Sequence, residues 1–127
     1  MANEIQYSAM LQAAKNGASI GQQLTGVCDM AGAQMTQKTQ NIGTTAEAIS
    51  FDDISGAPKL VLLQNLDPTN YVEIDSASTM DKFPQKLLPG PSAGIPGTFI
   101  LLAPETGTIY AKAHTAAVNL LVLAVEA

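Results

Sequence analysis

The chain has 127 residues, 46% of them hydrophobic and 13% charged, with a net charge of −5. That length supports one domain whose own core suffices for folding without disulfides or a metal. All six basic residues are lysines, Lys15, Lys38, Lys59, Lys82, Lys86 and Lys112, and their scatter argues against nucleic acid as a partner, because phosphate recognition wants clustered cations and favours arginine.

The first ten residues, MANEIQYSAM, lack a basic segment followed by an apolar core, so no secretory signal is expected there. EIQYSAMLQAAK, starting at Glu4, opens with alternation at Ile5, Tyr7 and Ala9, whereas MLQAAK alone would suit a helix. Asn16-Gly17 fits either a hairpin turn or a helix stop. Strand is the reading adopted, because the remainder of the chain has β grammar. Residues 20–28 and 33–42 are rich in Gln, Thr, Gly and Ala and offer little core of their own. They read as an arm or a strand pair that packs on a neighbouring subunit. The apolar residues of this region, Ile5, Tyr7, Met10, Leu11, Ile20 and Leu24, are the expected assembly contacts. Cys28 is the single cysteine, which rules out an intrachain disulfide, and it reads as a small buried apolar residue.

AEAISF (46–51) reads as a strand ending at Asp52-Asp53, and KLVLLQNL (59–66) as a short buried strand. Asn65, Asp67, Pro68 and Asn70 then supply turn chemistry. YVEID (71–75) alternates, with Val72 and Ile74 facing one way and Tyr71, Glu73 and Asp75 facing solvent. FPQKLLPGPSAGIPG (83–97) carries four prolines and three glycines and excludes a regular helix. FILLA (99–103), the turn PETG (104–107), the alternating IYAKAH (109–114) and VNLLVLAV (118–125) complete the series. The last of these reads as buried on both faces. Its surrounding apolar run is too short to cross a bilayer as a helix, so no membrane partner is expected. Short strands at roughly ten-residue spacing predict an antiparallel β-sandwich or barrel.

Chemical motifs are sparse. His114 is the only histidine, and no nucleophile elbow accompanies it, so an ordinary surface histidine is expected. One Cys and one His cannot make a zinc site within one subunit. The carboxylate pairs Asp52-Asp53 and Glu73 with Asp75 lack calcium-loop spacing and read as solvated. GPSAGIPG (90–97) lacks the Gly-Lys-Ser/Thr ending and following helix of a phosphate loop. Thr44-Thr45-Ala46-Glu47 has capping-box spacing with no helical pattern behind it. No catalytic, cofactor-binding or metal residues are therefore assigned, and no enzymatic activity is expected. The low charge suits a subunit largely covered by copies of itself or by a partner.

The segments IGTTAEAISFDDI, KLVLLQNLDPTNYVEID, FPQKLLPG and IYAKAHTAAVNLLVLAVEA, in that order over roughly residues 42–126, resemble small virion structural proteins of tailed bacteriophages. The resemblance implies a jelly-roll-like β-sandwich core at 42–127, with residues 1–41 as an N-terminal arm or strand pair making assembly contacts. It also implies a virion location after synthesis in the host bacterial cytoplasm. The expected role is capsid decoration (cement), with the chain itself, as a trimer or larger ring, and major capsid or other virion proteins as partners. A neck, collar, tail or fibre component, with host- or glycan-binding loops at 76–82 and 89–97, is the alternative. PGPSAGIPG and the proline of NLDPTN depart from the pattern and leave the contact surface open.

Overall fold

The computed structural model describes residues 4–105 and 107–127 and divides into two compact units, 1–31 and 32–127. The expected 104–107 turn includes Thr106, which lies outside the described residues. Every element described is a β-strand.

The first unit is an antiparallel ribbon of β1 (Ile5–Lys15) and β2 (Ala18–Cys28), paired without a bulge from Ile5↔Cys28 to Lys15↔Ala18. Asn16 and Gly17 join the strands with φ of 52° and 82°. Two consecutive left-handed residues make the primed turn whose twist matches a two-residue hairpin, and Asn-Gly is the pair that adopts it most readily. The helical reading of MLQAAK loses to this turn.

The second unit is a sandwich of eight strands: β3 (Met35–Ile42), β4 (Glu47–Ala48), β5 (Leu60–Asn65), β6 (Val72–Asp75), β7 (Gln85–Leu87), β8 (Phe99–Leu102), β9 (Tyr110–Ala113) and β10 (Val118–Val125). One sheet has the order β3-β10-β5-β8 and the other β4-β9-β6-β7. Antiparallel pairs are nested, β6 with β7, β5 with β8, β4 with β9 and β3 with β10. The segment is one long hairpin rolled up into two layers, which is the jelly-roll arrangement.

Period-two burial builds the core. Val118, Leu120, Val122 and Ala124 of β10 face inward beside Val61 and Leu63 of β5. Val72, Ile74, Leu87, Ile109, Ala111 and Ala113 belong to the same apolar cluster from the second sheet and its flank. The alternation read at 109–114 holds in full, with Tyr110 half-buried and Lys112 and His114 exposed.

Several expectations need correction. The turn chemistry between β5 and β6, read as a tight connection between successive strands, makes an arch from one sheet to the other. The side chain of Asn65, fully buried, explains this: its amide donates to the carbonyls of Asn70 (2.9 Å) and Leu87 (3.0 Å), and its oxygen accepts the Asp67 N–H (2.8 Å). Asp67 in turn accepts the N–H groups of Thr69 and Asn70. The compact unit begins at Gly32, not at 42, because β3 pairs with β10 over its full length. Its inward residues Thr36, Lys38 and Gln40 are polar and bind the 48–52 segment: Thr36 donates to Asp52, Lys38 forms an ion pair with it at 2.9 Å, and Gln40 bonds the backbone of Ala48 and Ser50. Only Glu47–Ala48 of the 46–51 segment is strand. Glu47 accepts the Gly43 N–H at 3.1 Å, one residue short of the Thr44 N–H that a capping box would use, and no helix follows. The outward residues of β10, Leu121, Leu123 and Val125, are half-buried, short of the two-face burial expected.

Asp75 also departs from expectation. It is buried, and it accepts the N–H groups of Ser76, Lys82 and Phe83, tying down the loop between β6 and β7. Burial opposes its charge, yet the backbone donors of Lys82, Phe83, Ser76 and Ala77 outweigh that and hold its carboxyl below the usual range.

Two outcomes follow. Asn65→Ala strands two carbonyls and one N–H and should cost about 3 kcal/mol in urea unfolding, whereas Asp67→Ala at the half-buried turn should cost about 1 kcal/mol. A carboxyl with a depressed folded pKa contributes stability that is complete above its ordinary value of about 3.9 and lost as pH falls through the lower folded value. Thermal melts of Asp75→Asn should therefore lose less stability between pH 5 and 2 than wild type, while melting lower than wild type at pH 7.

Candidate assembly surfaces

The register of the ribbon sorts its side chains into two faces. One face carries Ile5, Tyr7, Ala9, Leu11 and Ala13 from β1 with Ala18, Ile20, Leu24, Gly26 and Cys28 from β2. Lys15, beside the turn, is its only charged residue and Gln22 its only other large polar one. The reverse face carries Gln6, Ser8, Gln12, Ser19, Gln23 and Thr25 around Met10 and Val27. The ribbon is amphipathic by period two.

Five of the six expected contact residues, Ile5, Tyr7, Leu11, Ile20 and Leu24, share the apolar face, and Met10 lies on the polar one. Counting outward in twos from the Asn16-Gly17 turn would have separated Met10 from the sequence alone. Ile5 is buried, while Leu11, Ile20 and Leu24 are 70%, 66% and 63% exposed. The Tyr7 ring lies across Gly26 so closely that a Cβ there would sit 2.3 Å from it. This seat lets an aromatic cover the bare backbone of a strand glycine.

The sandwich presents two unlike outer faces. On β4-β9-β6-β7, Glu73 stands in register between Lys86 and Lys112, Lys86 lies 4.2 Å over the Tyr71 ring, and Tyr71 stacks on His114 at 4.3 Å. His114 is thus an exposed stacking partner on a charged surface. On β3-β10-β5-β8, Leu62 sits between Leu123 and Leu101, and Leu60 sits beside Val125. These side chains are half-buried, with exposed Met35 and Phe99 at the margins. The outward strand positions of this sheet include no charged residue. Sequence reading took the leucines for core, because a run apolar on both faces looks the same whether its second face is covered by its own chain or by another.

The carboxylates serve the fold. Asp52 is held below the usual range by the Thr36 hydroxyl and the Lys38 ammonium. Glu126 is held low by the Gln34 N–H above all, with Ala33 and Ser55 assisting against desolvation, so it clamps the entry to β3. Among the described residues no group of three or more His, Cys, Asp or Glu is placed to hold a metal ion, and no helix is long and apolar enough to cross a membrane.

The loops expected at 76–82 and 89–97 lie at strand connections. The second is pinned to the β5 arch by Gly90 N–H to the Asp67 carbonyl and Gly97 N–H to the Asn65 carbonyl. Gly97 is required by this approach, since a Cβ would meet the Leu88 carbonyl oxygen at 2.0 Å. Phe83 and Ile95 project from these connections, 77% and 50% exposed. Compared with known protein families, curated proteins and solved structures, the chain matches none.

Proposed function

We propose that the chain is a virion structural protein of a tailed bacteriophage, a capsid decoration subunit that assembles with copies of itself and bridges neighbouring shell proteins. The order of segments over residues 42–126 supports the virion part by resemblance. The jelly-roll topology agrees with it, since this architecture recurs in capsid domains, although lectins and cupins share it. The observation that carries the assembly part is the apolar ribbon face, on which Leu11, Ile20 and Leu24 stay largely exposed. A two-stranded ribbon is marginal in water alone, and such a face is stable only against a partner. Decoration works by burying modest area at each of many equivalent contacts, so the stabilisation of the shell grows with copy number.

A second reading, a collar or fibre subunit that binds a host receptor or glycan, draws on Phe83 and Ile95, apolar side chains held out on pinned loops. Copy number separates the two: on the order of hundreds per particle for decoration, about a dozen for a collar or fibre ring.

Quantitative mass spectrometry of purified particles should find the chain at the higher number, and its absence from particles would defeat both readings. Deleting residues 2–31 should leave a β-type circular dichroism spectrum and cooperative melting, because all eight sandwich strands remain. The same deletion should reduce binding to particles at least tenfold.

A further inference from the structure

We propose that the apolar face of the ribbon docks on the outer face of the β3-β10-β5-β8 sheet of a second copy of this chain. This rests on the assembly part of the reading above and names the partner of the ribbon.

The ribbon has no second layer of its own, and Leu11, Ile20 and Leu24 are 63–70% exposed. The surface that fits them is present once on every copy. The outward row Leu123, Leu62 and Leu101 runs across three adjacent strands of that sheet, with no charge at any outward strand position. The other sheet would set Glu73, Lys86 and Lys112 against leucines and strip their water without pairing them. The choice between the two faces is therefore electrostatic.

Eleven paired residues make a ribbon about 37 Å long and about 10 Å wide, a footprint on the order of 400 Å². Each contact therefore takes about half of what a standard-size interface takes from one partner, and every subunit makes two such contacts, one through its ribbon and one through its sheet. One ribbon and one receiving face per chain give a one-to-one match that only identical copies satisfy throughout. The contact joins two different patches, so it is heterologous, and closure into a ring leaves no ribbon or sheet face uncovered, as an open filament would at its ends.

Sedimentation velocity on the full-length chain tests this with two double variants. Leu11→Asp with Leu24→Asp spoils the ribbon, and Leu62→Asp with Leu123→Asp spoils the receiving face. Wild type should sediment as a closed oligomer. Each variant should be monomeric at concentrations where wild type is assembled, with an unchanged circular dichroism spectrum. An equimolar mixture of the two variants should form a one-to-one complex, because one brings an intact ribbon and the other an intact sheet face. If the aspartates unfold the sandwich, Leu62→Gln with Leu123→Gln carries the same test. A sheet variant that assembles like wild type overturns the proposal, as does a mixture that forms no complex. A wild-type chain that stays monomeric yet is found on particles overturns this inference and leaves the virion reading standing. A wild-type ring absent from particles does the reverse.

Discussion

The sandwich closes around one face of β10. Val118, Leu120, Val122 and Ala124 are each almost fully removed from water, and the same strand donates and accepts along both edges, to β3 on one side and β5 on the other. Each buried valine or leucine contributes about 1.5–3 kcal/mol, so the loss of even one of them removes a sizeable part of a net stability that is only about 5–15 kcal/mol. The opposing sheet answers with the small side chains of Ala111 and Ala113 beside Val72 and Ile74. At Asn65, a polar group fully inside, both amide hydrogens and the oxygen are engaged in turning the chain from one layer to the other.

The ribbon obeys the same period-two rule without a second layer. Its turn and its register are fully formed, and its apolar face is as continuous as that of a core strand. Apart from Lys15 beside the turn, charged groups stand off that face. Asp52, Asp75 and Glu126 each bind donors of the sandwich itself, which consumes them as clasps on loops and strand entries. Acidic chemistry in this protein is spent on shape, and the surface left uncharged is the one suited to other protein.

Much of the fold is legible in the residues. The alternation of IYAKAH and the turn chemistry after KLVLLQN mark a strand and a break where the structure has them, whereas the proline density at 83–97 excludes a helix but hides the three-residue strand β7. Strand order is less legible, since turn residues report that the chain reverses and not which sheet receives it. The arch at Asn65 depends on carbonyls of Asn70 and Leu87, and Leu87 is 22 residues away. β3 escapes pattern reading because its inward side chains are Thr36, Lys38 and Gln40, polar groups satisfied by a segment eight or more residues downstream. The apolar residues of the ribbon are readable as a set, and counting in twos from the Asn16-Gly17 turn divides them by face.

The nested pairing has a consequence for biosynthesis. Of the eight sandwich strands β10 is translated last, yet it occupies an inner position between two strands made much earlier. Until residues 118–125 have cleared the ribosome, β3 and β5 have no neighbour on the edge that β10 will fill. Folding of this sheet accordingly waits for the last of its strands. Until then the nascent chain holds an open edge and apolar strands, the state in which β-rich polypeptides are most exposed to aggregation and most dependent on chaperones.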